Sequence, residues 1–533
     1  MSKRILFSDD ARKALKEGID EAVKAVKITI GPRGQNVILS NGKQTNDGVS
    51  VARDLQAKDP FKQAGIEVIQ DIAESINERV GDATSSGVVI GGYLADEGYR
   101  VTSMGVNAMM LRKGMQQAFL DAKDELQKMA KPIKTLEELK HPAIVSSESE
   151  EIGTIIAETV WKTGKTGYIK VEESSVPGVT SEVVEGFGFD KGVVSPYMYT
   201  DPTRGITTLD NVPILVSDKA FHDPSEFHSI ILHLINNLQL VELVIIADDF
   251  SEAVTSLIVA NRIHWFKNQG KAGMKITAIK AAGIAERKRE FLEDVCVMTK
   301  ATIVSNFDEE ALKSLKKEQL GIVKHVESKK DSTLLYGANK KGIIEHIAKL
   351  QMVLEDEQFE FKKDKVRERI AKVAGGIAVL KVGAASDKEL KYLKDKIEDC
   401  VNSTKHALEG GVIAGGGSAL AHVSMKLSKK ESKDVNEEFS AGYKLVVRSL
   451  REPLRAIAEN SEGDESSVIV NDILTSDDNW GYNAATKKIE DLVKKGIVDP
   501  FKVISTALEV AVSNIGIYLT TGAVNVRDLE KEL

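Results

Sequence analysis

Three short runs in this chain carry residue types that could hold an anion. Gly415-Gly416-Gly417 precedes Ser418-Ala419-Leu420-Ala421, a run of helix formers. Glycines there let backbone amides approach a negative group, and the helix start favours one through its dipole. Gly81-Asp82-Ala83-Thr84-Ser85-Ser86 stands at another expected helix start. Its hydroxyls and amides could hold phosphate oxygens, and Asp82 offers a hard oxygen ligand for Mg2+. Gly31-Pro32-Arg33-Gly34 follows the first expected helix, and Asn46-Asp47-Gly48 follows an expected hairpin. Each run also has a plainer reading: a tight turn for the three glycines, a capped helix start for Asp-Ala-Thr-Ser-Ser, and turn punctuation for the rest. Asp399 lies opposite the apolar stripe Leu390, Leu393, Ile397, Cys400 and Val401, where pattern alone makes it a solvated carboxylate.

Other chemistry-like motifs fail on spacing. Lys162-Thr163-Gly164-Lys165-Thr166 contains the Gly-Lys-Thr of a phosphate-binding loop, but Thr159 stands where its first glycine is needed. Gly186-Phe187-Gly188 lacks the spacing of a dinucleotide fingerprint. His228 and His233 are five apart on an expected helix, about 140° around its axis, so with His222 they do not face one ion. Met104, Met109, Met110 and Met115 read as core filler. No nucleophile–base pair emerges, which speaks against a small-molecule enzyme.

The elements that must position these runs fall into three stretches. A helix is expected from Ser8, with Ser8 as its cap and Ala11, Leu15, Ile19, Ala22, Val23 and Val26 on one face. Val37-Ile38-Leu39 and Asn41-Gly42 predict a hairpin. Helices follow over 64–80 and from Val88. From Tyr168, strand-like runs (YIKVEE, ITTL, VPILVSD, LVIIADD, KITAIKAA, ATIVSN, GIVKHVE) alternate with helical stretches at 226–240, 251–268 and 287–299, the pattern of a partly parallel α/β domain. Residues 342–369 read as two charged antiparallel helices, 387–408 as another helix, and the remainder as mostly helical. The helical–α/β–helical order is consistent with the two ends forming one domain around an inserted middle.

Composition narrows the class. The 533 residues suggest three or four domains. With 72 Lys plus Arg against 80 Asp plus Glu, the formal charge is −8, which argues against a nucleic-acid coat. Cys296 and Cys400 are the two cysteines, too few for a disulfide framework and suited to a reducing compartment. The start, MSKRILFSDDARKAL, has no apolar core of a secretory signal, and the apolar window 229–247 is broken by His233, Asn236, Asn237, Gln239 and Glu242. A soluble, cytoplasmic protein without membrane or nucleic-acid partners is expected.

Together the runs KITIGPRGQNVIL, TNDGVSVAR, GDATSS, VEGFGFDKGVVSPYM, AGGIAVLKVGAAS, EGGVIAGGGSAL, WGYNAAT and GIVDPFKV resemble, in order and nearly end to end, the bacterial-type (group I) chaperonins. The resemblance implies a multidomain α and α/β chaperonin fold. A mostly helical equatorial ATP-binding domain would span 1–128 and 410–533, a small α/β intermediate hinge domain 129–184 and 377–409, and an inserted α/β apical polypeptide-binding domain 185–376. It implies an ATPase that forms a homo-oligomeric ring, usually of seven subunits, encloses non-native polypeptides and uses ATP hydrolysis to drive domain movements. An ATP-independent holdase or scaffold ring is the alternative. ATP and Mg2+ are the implied cofactors, with K+ a further family ion.

Carried over by position, Thr29, Ile30, Gly31 and Pro32 would line the nucleotide. Asp82 would bind Mg2+, and Ala83, Thr84, Ser85 and Ser86 would sit at the phosphates. Asp47 and Asp399 would orient the attacking water. Gly415, Gly416 and Gly417 would pass the ribose side, and Asn483, Ala484, Ile497 and Asp499 would surround base and sugar. Val193, Val194, Ser195, Tyr197 and Met198 correspond to a segment that binds unfolded chains and a lid co-chaperonin. Two neighbouring helices would present Ile230, Ile231 and Leu234, then Val254, Leu257, Ile258 and Val259.

The chain departs from the family at several of these positions. Ala83 replaces a glycine, Asn46 a lysine and Glu148 an asparagine. Val193 replaces a tyrosine, Met198 a phenylalanine, and KAAGIAER at 280–287 a glycine-richer stretch, all at the lid-binding region. The ending RDLEKEL lacks the family's Gly-Met tail. These departures suggest an unusual lineage or a secondary copy, with ATP hydrolysis retained at an altered rate.

Overall fold

The computed structural model describes residues 3–527 except 165–166, 185, 269–272, 284–285, 306–314, 338, 358, 376 and 430–435. Lys165 and Thr166 of the Gly-Lys-Thr run, part of the 280–287 stretch and the ending after Arg527 lie outside the described residues. The chain divides into two compact units: Met1–Trp161 with Glu173–Thr180 and Val382–Leu533, and Lys162–Glu172 with Ser181–Lys381.

The first unit is helical and is closed by its own ends. Lys3–Phe7 pairs antiparallel with Ala523–Arg527, Ile5 opposite Asn525. The apolar stripe expected from Ser8 does form a helix, Ser8–Lys27, but Ser8 is not its cap. Ser8 has φ 49° and its amide donates to Gly522 O, because the strand turns directly into the helix there. The hairpin is present, Val37–Ile38 against Gln44–Thr45. The helix Pro60–Val80 starts four residues earlier than 64, where Asp59 accepts from the amides of Phe61 and Lys62. Thr84–Ser103, Ala108–Met129, Ser418–Ser428, Glu437–Ser449 and Phe501–Leu519 complete a core that includes Leu15, Ile19, Ile69, Ile72, Leu94, Leu111, Leu445, Leu508 and Ile515. Met115 is in that core, whereas Met104 and Met109 are exposed, because they flank the turn between two helices.

Among the described residues Phe501–Leu519, not the window 229–247, is the helix long and apolar enough to cross a membrane. It is 72% buried against the helices around it, which accounts for its apolar sequence as core.

The second unit is built on a mixed sheet in the order Lys275–Lys280, Glu242–Ala247, Thr207–Ser217, Gly321–Ser328, Thr333–Tyr336, Gly186–Phe189. The first three pair in parallel, as does Ile303–Val304 with Thr207–Ser217; the rest pair antiparallel. ITTL and VPILVSD are one strand, continuous through Pro213. Gly186–Phe189 and Thr333–Tyr336 were not evident in the sequence, being short and, in the first case, half glycine. The helices Pro224–Asn236, Glu252–Lys267 and Glu286–Thr299 fall close to the expected spans. The charged stretch is indeed two helices, Lys340–Asp356 and Glu360–Gly375.

Candidate functional site

The first unit contains a cavity of about 720 Å³. Three helix starts face it. Asp47 caps the helix Gly48–Asp54, its carboxylate accepting from the amides of Val49 (3.3 Å) and Ser50 (3.0 Å). The helix Thr84–Ser103 begins with Thr84, Ser85 and Ser86, all lining the cavity. Gly417 precedes the helix Ser418–Ser428. Free amides at such starts favour an anion. Gly48 is required by the crowding of the first two, since a Cβ there would run into Ser85 Oγ. Thr29 Oγ1 donates to Val26 O at 2.8 Å and lies 3.2 Å from Ser85 Oγ, tying the end of the first helix to the same group.

Every nucleotide-site position carried over by resemblance lines this cavity except Gly415. Gly415 lies just behind it, its amide donating to Ile497 O at 3.0 Å in the turn that brings Gly416 and Gly417 to the wall. Val412–Ala414 pairs with Val498–Pro500, which places Asp499 beside that turn. Ala484 is held by Arg33, whose Nε donates to Ala484 O at 2.9 Å. Asn483 turns its amide to Glu490 at 2.7 Å.

Further lining residues escaped sequence reading: Lys43, Ser146, Tyr392, Lys396, Ile457 and Tyr482 among them. Apart from Tyr482, which lies within the WGYNAAT run, they come from stretches that carry no motif. Only the departures Asn46 and Glu148, which also line the cavity, hinted at that side of it.

The electrostatics are strongly acidic. Asp47, Asp82, Glu148, Glu150, Asp395, Asp399 and Asp499 line the cavity against Lys43 and Lys396. Burial, reinforced by the charges of Asp47 and Asp82, pushes the Asp399 carboxyl up to about 9. Burial and then Asp82 push Asp499 up to about 7, against a donated Gly416 amide. Burial likewise raises Asp82, although its Oδ1 accepts from the Ala83 amide at 2.6 Å and its Oδ2 from Ser146 Oγ at 3.1 Å. Such a cluster stabilises cations. Among the described residues no three His, Cys, Asp or Glu converge as a metal cage. A single half-buried carboxylate such as Asp82 fits the kind of Mg2+ ligand whose shell is completed by phosphates and water.

Ala83 has φ 61° and ψ 23°, the left-handed conformation that glycine adopts without cost. Glu148, ending the helix Leu136–Ser147, is also left-handed, with φ 54°.

The expected polypeptide-binding face needs correction. Val193, Ser195, Met198, Ile230, Ile231, Leu234, Val254 and Ile258 are buried in the second unit, with Val259 half-buried. The helix Pro224–Asn236 turns its apolar face to the core, and Glu252–Lys267, apolar on more than one side, buries Val254 and Ile258 there, so the stripe that reads as a capture ridge is packed inside the unit. Tyr197 is 76% exposed, and Leu232, Ile263 and Phe266 are the large apolar residues that the two helices show outward. His233 bonds Leu315 O and Asn237, in keeping with a non-metal role.

A helical body made from both chain ends, an inserted α/β unit and a cavity of glycine turns, helix starts and carboxylates define a chaperonin subunit. The chain belongs to the TCP-1/cpn60 chaperonin family, whose model matches residues 23–524. Its motifs are those of a divergent bacterial-type member, and its role is that of a chaperone. Among solved structures it is similar to the chaperonin gp146 from the bacteriophage EL 2 (Pseudomonas aeruginosa), crystallised in the presence of ATP-BeFx. Crystal form II matches with a TM-score of 0.82 and form I with 0.70, both at 22% identity. The matches cover 98% of this chain and 98% and 99% of those chains, so the chaperonin fold extends over its whole length.

Proposed function

We propose that the chain is the subunit of an ATP-driven folding chamber. The observation that carries this is the gathering of Asp47, Asp82, Asp399 and the start of the helix Thr84–Ser103 around one cavity. In this reading the amides and hydroxyls of Thr84, Ser85 and Ser86 bind the phosphates, with Thr29, Ile30, Gly31, Pro32 and Ala83 beside them. Asn483, Ala484, Ile497 and Asp499 hold base and sugar, with the glycine turn at 415–417 on the ribose side. Asp82 holds Mg2+, which when bound offsets phosphate charge. Asp47 and Asp399 orient the attacking water, because phosphoryl transfer needs positioning and charge stabilisation more than covalent help. A carboxylate carried on a moving element couples hydrolysis to conformation. K+ has no residue assigned to it.

The proposed organisation is the three-domain one: equatorial 1–128 and 410–533, intermediate 129–184 and 377–409, apical 185–376. Seven such subunits would form a cytoplasmic ring around non-native polypeptides, contacted through Tyr197, Leu232, Ile263 and Phe266 by burial of apolar area. Val193 and Met198, both buried, speak against a lid contact of the usual kind.

Phosphate release by wild type and Asp399→Ala tests the reading. Turnover should fall by roughly a hundredfold or more in the variant, the scale of a lost water-orienting base. Equal turnover overturns the assignment. The left-handed Ala83 favours a second reading, an ATP-independent holdase or scaffold ring. Refolding of an aggregation-prone client with and without ATP separates the two; ATP independence would favour the holdase.

A further inference from the structure

Asn46 and Glu148, two departures from the family pattern, both reach the helix Asp387–Gly410, which carries Asp399. Glu148 Oε2 lies 2.9 Å from Lys396 Nζ. Tyr392 donates its hydroxyl proton to Asn46 Oδ1 at 3.4 Å. Lys396 donates to the Tyr392 hydroxyl at 3.3 Å and stands 5.6 Å from the centre of its ring. One continuous connection therefore runs from the residue before Asp47, across Tyr392 and Lys396, to the end of the helix Leu136–Ser147. Lys43 adds a contact of 3.4 Å to Asp395.

Two further observations give the connection a purpose. Lys43, in the hairpin beside Asn46, and Lys396, on the helix Asp387–Gly410, are the cations among the described lining residues, so Lys396 brings positive charge from the opposite helix to the side where Asn46 supplies none. Glu148 also holds a left-handed backbone in which Asn or Gly would be less strained. A glutamate kept there at conformational cost is explained by its carboxylate. Lys396 and Asp399 are three residues apart and so neighbours on one helix surface.

We propose that Glu148 and Lys396 brace Tyr392 in a latch that ties the Asp399-bearing helix to Asn46, and so sets where Asp399 stands relative to Asp47. Lys396 is thus a positioning residue for the hydrolysis proposed above, and the inference rests on that reading. Glu148 acts on Lys396 through geometry, so its removal should be read in kcat, whereas Lys396, itself a lining cation, bears on nucleotide affinity as well.

The test uses the full-length protein with Glu148→Gln, Lys396→Met and the charge swap Glu148→Lys with Lys396→Glu. Phosphate release is followed over a range of Mg-ATP concentrations, and amide hydrogen exchange of residues 387–410 is followed without nucleotide. Each single variant should lower kcat by roughly three- to fivefold, with KM nearly unchanged in Glu148→Gln, the scale of a partly exposed ion pair. Each should also speed exchange in that helix, and the swap should recover both. Single variants that match wild type in kcat and exchange overturn the latch, as does a swap no better than the worse single variant. If Asp399→Ala abolishes turnover while the latch variants match wild type, the latch fails and the ATPase reading stands. If wild type does not hydrolyse ATP, the ATPase reading fails and the exchange arm alone decides the latch.

Discussion

Asp399 shares its cavity with Asp47 and Asp82, and burial with their charges pushes its carboxyl up to about 9. The unfolded chain releases that proton near the ordinary carboxylate value, whereas the folded chain retains it. Folding is therefore favoured at low pH and loses that contribution as pH rises from about 4 through about 9. Asp399→Asn should stabilise the nucleotide-free protein by on the order of 1–2 kcal/mol near pH 7, with the gain vanishing toward pH 4. Thermal unfolding across pH reads this directly; a gain that is constant with pH would contradict it. Ala83 is the second residue-scale case. Its φ of 61° makes Ala83→Gly stabilising by about 1 kcal/mol, measurable by denaturant unfolding, provided the turn before the helix Thr84–Ser103 keeps its shape. Neither effect can be read from residue type: Asp399 looked like a surface carboxylate until the fold buried it.

Among the elements, one very close crossing is between the helices Ser8–Lys27 and Pro60–Val80. A Cβ on Gly18 would collide with Lys62 O, and one on Gly65 with Leu15 O. Backbone cannot yield as a flexible side chain can, so Gly18→Ala should cost about 1–3 kcal/mol or more in unfolding free energy. An unchanged unfolding midpoint would show that the crossing relaxes freely. Periodicity found the helices near Ser8–Lys27, Pro60–Val80, Thr84–Ser103 and Asp387–Gly410, whereas Phe501–Leu519, whose apolar length belongs to a core helix, was legible only as part of a mostly helical remainder. It missed the pairing of Lys3–Phe7 with Ala523–Arg527, because a strand's partner five hundred residues away leaves no local trace.

For the whole molecule, the family and the fold support a chaperone, and the ring is the proposal with the widest consequence. Native mass measurement should give about seven subunits for one ring or about fourteen for two, following closed cyclic symmetry. A monomer at working concentration would overturn the chamber. The outward Leu232, Ile263 and Phe266 give the second unit an apolar surface that a soluble monomer rarely leaves bare. Replacing all three with serine should abolish suppression of client aggregation while leaving ATP turnover intact, read by light scattering and phosphate release.

The order of motifs along the chain determined the family, and with it which positions are proposed to meet a nucleotide, because glycine turns, helix caps and short acidic runs are local and survive as strings. Hydrophobic periodicity likewise determined most helices and the parallel part of the sheet. What it could not determine was which side of an amphipathic helix is free. Ile230, Ile231, Leu234, Val254 and Ile258 form an apolar stripe in sequence whether that stripe meets a client or a sheet, and only packing assigned it to the core. The same holds for the cavity's charge. Lys396, Tyr392 and Glu148 are unremarkable residues in sequence, and a pKa or a latch arises only when folding brings distant carboxylates and lysines within a few ångströms in a place that water has left.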